Sequence, residues 1–313
     1  MRFAFGDEWQ SRNALLRTDA CALSDALEDA QTLILPIWRG KPHLGANALC
    51  WARPSDPLLA HTQAPYVYLG QHEGHHVFAA DISAWEPDVL DRAALAMFTD
   101  TSIQIHPDGP AGAYFGELRL AMAQLSRVEA ALAATARALF NWHRTHRFCA
   151  ACGHPTDSGA AGWERHCPAC AAKHFPRTDP VVIMLVTHGN DLLLGRSHGW
   201  PERMYSALAG FIEPGETLEA AVAREVFEET AIQVHDIRYI ASQPWPFPNS
   251  LMFGCIATAL GKTLRLDDEL EDAKWLSREE VLLAWSGQHD SVLPARKGSI
   301  AHYMIGQWLA GQV

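Results

Sequence analysis

The sequence predicts an α/β (α+β) chain: a mixed sheet flanked by helices, preceded by a short cysteine-rich segment and an N-terminal α/β domain. Three observations carry this reading. From Asp179 onward, strand-sized apolar runs alternate with helical patterns. Four of the seven cysteines, Cys149, Cys152, Cys167 and Cys170, fall in one 22-residue window. Ahead of that window, strand signals over residues 31–83 give way to a helical stretch over 113–147.

The expected boundaries are 1–145, 146–178 and 179–313. In the first part, Thr32 to Trp38 is an apolar run of strand length, and Tyr66 to Ile82 reads as two strands around Gly70–Gly74. Ser126 and Glu129 fit a capping box, in which each side chain satisfies the other's backbone donor. The alanine- and leucine-rich residues that follow are good helix formers up to about His146. In the last part, Val181–Thr187 and Leu192–Gly195 are strands around a His188–Asp191 turn. Thr217 to Thr230 is a helix, Ile237–Ser242 and Leu251–Ala259 are strands, and a helix runs from about Ser299 to Leu309.

Length and composition narrow the classes. At 313 residues with 48% hydrophobic and 19% charged residues, the chain suits two or three packed domains and not a disordered polymer. No apolar run approaches the roughly 20 residues of a membrane-spanning helix, and the N-terminus lacks an apolar signal core. The expectation is a cytoplasmic protein with no membrane partner. A net charge of −11 argues against gripping nucleic acid mainly by charge. It also means that an anionic substrate would need cations at the site.

Cys149-x2-Cys152 and Cys167-x2-Cys170, fourteen residues apart, have the spacing of a closed structural zinc site with no position left for water. Gly153 suits a knuckle turn needing positive φ. A redox pair is not duplicated in this way, and ferredoxin spacings differ. Cys21, Cys50 and Cys255 read as ordinary lone cysteines.

The segment Gly210 to Ile232 places Glu225, Glu228 and Glu229 at i, i+3 and i+4, on one helical face. Alone, such a cluster is better read as a solvated acidic face. A Gly-Phe-Ile-Glu-Pro-Gly loop precedes it, and Arg224 can pair with Glu216. Converging carboxylates also suit hard divalent cations.

Those residues resemble the Nudix box: Gly210, Glu216, Arg224, Glu225, Val226, Glu228, Glu229 and Ile232 match its pattern, and Ala231 stands where the box has Gly. The resemblance implies a Nudix fold, with a mixed sheet flanked by helices after a zinc ribbon and an N-terminal α/β domain. It implies two to three Mg²⁺ or Mn²⁺ ions, with Glu225 and Glu229 as main ligands. Glu228 is then a further ligand or base, and the Ala209 carbonyl an additional ligand. Ala231 would cost roughly 1 kcal/mol in a left-handed helix ending.

Ser242-Gln-Pro-Trp-Pro-Phe-Pro-Asn-Ser250 contains three prolines, which predict a stiff segment that does not pair fully in a sheet. Trp245 and Phe247 would be held out as aromatic surfaces, with Gln243 and Ser250 offering hydrogen bonds. A loop capping a hydrophobic core is the plainer alternative. The segment resembles the SQPWPFPxS signature of the NADH pyrophosphatase branch of the Nudix hydrolases, over about residues 119–313 together with the box and knuckles. The resemblance implies hydrolysis of NADH or NAD⁺ to AMP and nicotinamide mononucleotide. It also implies a homodimer with one structural Zn²⁺ per chain, and substrate contacts from Gln243, Pro244, Trp245, Pro246, Phe247, Pro248, Asn249 and Ser250. Carried over singly, Phe175 matches a base-stacking aromatic and Ala301 a backbone contact. Glu269 matches a late metal ligand, or is part of a solvated acidic turn. Arg119 faces a phosphate or a surface salt bridge. Removal of NAD caps from RNA would use the same site. A non-catalytic nucleotide sensor or nucleic-acid-binding regulator is a third reading, whose mark, degenerate box carboxylates, is missing.

Overall fold

A computed structural model describes residues 3–6, 11–62, 65–90, 95, 97 and 99–313. The chain divides into two compact units. One comprises Asp7–Arg177 and Pro246–Asn249, the other Met1–Gly6, Thr178–Trp245 and Ser250–Val313.

In the first unit, β1 (Leu33–Trp38), β2 (Lys41–Leu44), β3 (Val67–His72), β4 (His75–Asp81) and β5 (Tyr114–Phe115) form a sheet of order β3-β4-β1-β2-β5. Only the β1–β4 pairing is parallel. Ile34, Trp38, Tyr68, Phe78 and Phe115 build its core. α1 (Ala20–Glu28) and the short α2 (Leu118–Ala121) precede α3 (Arg127–Thr145), which starts later than the 113–147 stretch predicts. The reason is local. Tyr114–Phe115 pairs with β2, and the Ser126–Glu129 capping box restarts the helix with both of its hydrogen bonds formed. β6 (Asp157–Gly159), β7 (Glu164–His166) and β8 (Lys173–His174) make a separate antiparallel ribbon.

The second unit is organised around β9 (Asp179–His188). With β10 (Asp191–Ser197), β11 (Leu208–Phe211), β12 (Val234–Trp245), β13 (Ser250–Ala259) and β14 (Leu270–Ser277) it gives the order β12-β13-β9-β10-β14. β13 runs parallel to β9 along nearly its whole length. On the other side, β11 pairs with Val181–Met184 and β10 with Val186–His188. The apolar run of β9 is continuous because both faces are covered. Ile183 and Leu185 pack with Val281, Met304 and Trp308, from α5 (Arg278–Trp285) and α6 (Ile300–Leu309). Val182, Met184 and Val186 pack with Ala221, Val222 and Val226 of α4 (Leu218–Thr230). β11, β14 and α5 lie outside the elements read from the sequence. β11 and α5 are short, and the acidic start of β14 hides its alternation.

The proline segment is more strand-like than its composition predicts. Pro244 pairs with Leu251 and Trp245 with Ser250, so β12 runs three residues beyond the expected Ser242. β12 is an edge strand, where a proline's missing N–H can face outward. Only Pro246–Asn249 leaves the sheet, with a cis Phe247–Pro248 peptide.

α4 ends at Ala231, whose φ of 59° and ψ of 17° are left-handed. A β-carbon raises the energy of that conformation by roughly 1 kcal/mol. Ala231→Gly should therefore stabilise the protein by about 1 kcal/mol in chemical denaturation; equal or lower stability would mean that the backbone is not strained there.

Candidate functional site

The carboxylates of α4 are placed by close packing on β11. A methyl group at Gly210 would overlap the Glu225 carboxyl group, so only glycine lets that side chain lie across the strand. Thr217 starts the helix by accepting a hydrogen bond from the Ala220 amide. Arg224 then organises the solvent side. It donates to both Glu216 oxygens, at 2.6 and 2.9 Å, to Glu225 and Glu228 at 2.9 Å each, and to the Phe211 carbonyl. Hydrogen bonds from Arg224 hold the Glu216 carboxyl down at about 2.

Glu229 has no such partner. It is 5% exposed, and its Oε2 is buried without a hydrogen bond among the described residues. Burial first, then the charges of Glu225, Asp267, Glu269 and Glu228, push its carboxyl up to about 8. Glu225 is also raised, by burial, against the pull of Arg224. The charges of Glu225, Glu228, Asp267 and Glu269 thus all reach Glu229, and Glu225 lies against Gly210. Among the described residues, however, no three of these acids bring their oxygens within 4.8 Å of one another, as the four cysteine sulfurs do. Four of these acids are expected from the sequence; Asp267 is not, and it accepts from the Glu269 amide at 3.0 Å and so shapes the loop. It also passed over Phe211, 60% exposed and next to Gly210. A buried carboxylate oxygen without a donor among the described residues, raised in proton affinity by nearby acidic charges, fits an oxygen-preferring divalent ion.

In the same unit, Gln243 is fully buried and all of its amide is committed internally. Nε2 donates to the Ala4 and Gly298 carbonyls at 2.8 Å, and Oε1 accepts from Ile300 at 2.7 Å. It therefore braces the start of α6 and does not offer the free hydrogen bonds read from the sequence. Ala301 lies in the first turn of α6 with its side chain in the core. Trp245 packs against Phe5, ring centres 6.2 Å apart, and Pro244 is exposed.

In the other unit, the Phe247 ring lies under two guanidinium groups, Arg119 at 4.2 Å and Arg137 at 4.7 Å. Asn249 is buried and accepts from Asn141 at 3.2 Å, while Pro246 is buried and its carbonyl accepts from Arg137. Phe175 is 66% exposed.

The four cysteine sulfurs come within 4.8 Å of one another. The Cys149–Cys170 and Cys152–Cys167 separations are 3.6 and 3.4 Å, close to the roughly 3.8 Å edge of a tetrahedron with zinc–sulfur bonds. The two knuckles repeat each other. Gly153 donates to the Cys149 carbonyl and Ala171 to that of Cys167, both at 2.9 Å and both at positive φ.

Glu229 should govern the pH dependence of stability in protein freed of divalent ions. Its folded-state carboxyl titrates near 8 and its unfolded one near the ordinary glutamate value. Stability is therefore greatest where both are protonated and is lost as pH rises towards 8. Glu229→Gln mimics the protonated form, so its advantage in melting temperature should grow between pH 5 and 8 and then level off. A constant difference would contradict the burial of an unpaired acid.

Comparison with known proteins identifies the domains of the chain. Family models match at residues 31–142 (NADH pyrophosphatase-like rudimentary NUDIX domain), 144–175 (NADH pyrophosphatase zinc ribbon domain) and 176–295 (NUDIX domain). The chain is 42% identical over 257 residues to the NAD-capped RNA hydrolase NudC of Mycobacterium bovis (strain BCG / Pasteur 1173P2), spanning 78% of this chain and 75% of that protein. Identity to NudC of Stutzerimonas stutzeri (strain A1501) is 42% over 200 residues, 64% of this chain and 69% of that one. Identity to the human NAD-capped RNA hydrolase NUDT12 is 43% over 201 residues, 60% of this chain but only 44% of that longer protein. The chain spans less than half the length of the human relative. It belongs to the Nudix hydrolases, in the branch that joins a NADH-pyrophosphatase-like domain and a zinc ribbon to the Nudix domain.

Proposed function

We propose that this chain hydrolyses the diphosphate bond of NADH and NAD⁺, releasing AMP and nicotinamide mononucleotide. The observation that carries the reading is the buried, unpartnered oxygen of Glu229 within reach of the charges of Glu225, Glu228, Asp267 and Glu269, with Glu225 lying against Gly210. Glu225, Glu229, Glu269 and the Ala209 carbonyl would hold two to three Mg²⁺ or Mn²⁺ ions. Such ions supply neutralisation of the diphosphate and acidification of a water molecule. Glu228 would take the proton of the attacking water, a role supported by its being the most exposed of the three helix carboxylates. The water's oxygen bonds to one phosphorus as the bridging P–O bond breaks, and the second phosphate leaves with the bridging oxygen. Substrate contacts are assigned to Phe175, Arg119, Trp245, Phe247, Ser250 and Ala301. Gln243 and Asn249 act by fixing the backbone around Pro244, Pro246 and Pro248. Cys149, Cys152, Cys167 and Cys170 would hold one structural Zn²⁺, and a cytoplasmic homodimer completes the reading.

A second reading, removal of NAD caps from RNA, is favoured by what the relatives are named for. It requires the same bond cleavage.

Incubating NADH with the protein and Mn²⁺ should yield AMP and reduced nicotinamide mononucleotide. ADP-ribose with nicotinamide, or no product, would contradict the reading. Glu229→Gln should lower turnover by about 100-fold or more while the protein stays folded, and near-normal turnover would remove Glu229 from the site. Specificity constants on NADH and on NAD-capped RNA then decide between the two substrates.

A further inference from the structure

The same unit that carries the cysteine knuckles encloses a cavity of about 740 Å³, large enough for a nucleotide. Arg39, Arg137, Arg144, Arg147 and Arg165 line it, against a single carboxylate, Asp81. In a chain of net charge −11, that is a strong local reversal of sign.

The partners of these arginines matter more than their number. Arg39 pairs with Glu86 at 2.5 Å, and Arg137 has Glu117 at 3.9 Å. The other three have no carboxylate within ion-pair distance among the described residues. Arg165 donates to the Thr156 hydroxyl at 2.8 Å, to the Thr156 carbonyl at 2.5 Å and to His143 Nδ1 at 3.0 Å. His143 accepts that bond as a neutral imidazole, because its Nε2 donates to the Gly162 carbonyl and burial lowers its pKa. Arg144 donates to the Asn141 side-chain carbonyl at 3.0 Å. Thus Arg165 is oriented by neutral acceptors; burial lowers its pKa, the Asp157 charge partly offsets this, and Arg147 is near enough to repel it. Pro246 and Pro248 provide an apolar wall.

We propose that this cavity is a second anion site that binds phosphate groups, taken either from the backbone of an RNA strand or from a free nucleotide or pyrophosphate. Guanidinium forks match pairs of phosphate oxygens, and Arg144 and Arg147, exposed and without an ion-pair partner among the described residues, leave their charge available to such a ligand. Binding here requires no turnover, so it stands or falls separately from NADH hydrolysis.

The test uses the full chain and two probes: a short fluorescent oligouridylate without a cap, which has no diphosphate bond to cut, and inorganic pyrophosphate. The double variant Arg144→Ala/Arg147→Ala should weaken binding about tenfold or more. For the strand, the slope of log affinity against log salt should become shallower by about 1.4, at roughly 0.7 per lost phosphate contact. The double variant Arg144→Lys/Arg147→Lys keeps the charge and should retain part of the affinity, and it replaces the alanine pair should that pair fail to fold. Loss of oligonucleotide binding alone assigns the cavity to a strand, and loss of pyrophosphate binding alone to a free phosphate ester. Loss of both assigns it to the chemistry they share. Unchanged affinity for both probes in folded alanine variants overturns the proposal.

Discussion

The arrangement of the second unit centres on one unfavourable feature: a buried carboxylate, Glu229, within reach of other acidic charges and with an oxygen that has no hydrogen-bond partner among the described residues. Arg224 sits on the same helix, but its five hydrogen bonds go to Glu216, Glu225, Glu228 and the Phe211 carbonyl. That division makes chemical sense. Arg224 fixes the outer acids and the approach of β11, while the inner acid is left with unsatisfied oxygen and a raised proton affinity. Such an environment penalises an empty site and favours a divalent ion that displaces the proton.

The scaffold absorbs that cost elsewhere. β9 is covered on both faces, and its alternating residues divide between the α4 core and the α5–α6 core. β11 lies across half of β9, and through Gly210 it sets how close α4 can come. Gln243 ties β12 to the N-terminal residues at Ala4 and to the start of α6 through three hydrogen bonds. In the other unit the staple is different. Duplicated knuckles present four thiols, and arginines held by neutral acceptors give that unit a positive cavity.

How legible this was depended on the range of the interaction. The box, the cysteine knuckles and the Ser126 capping box are local patterns, and each appears where its spacing indicates. Ala231 was legible as well, since a helix ending with alanine in place of glycine should be strained, and its φ is positive. What depended on distant partners was not. Asp267 joins the acidic cluster only because the loop before β14 folds back towards α4. Gln243 looks like an exposed polar residue beside prolines until the Ala4 and Gly298 carbonyls surround it. Pro244 reads as a strand breaker until β12 proves to be an edge. Three arginines of the cavity, Arg137, Arg144 and Arg147, share one short basic window, but Arg39 and Arg165 join them only in the fold.

The most direct measurement is anomalous diffraction from crystals of the protein soaked in Mn²⁺. The account predicts manganese peaks within about 2.0–2.6 Å of carboxylate oxygens of both Glu225 and Glu229, with the Ala209 carbonyl turned towards one of them. Well-ordered crystals with that pocket free of manganese, or with manganese bound only at other acidic surfaces, would contradict it.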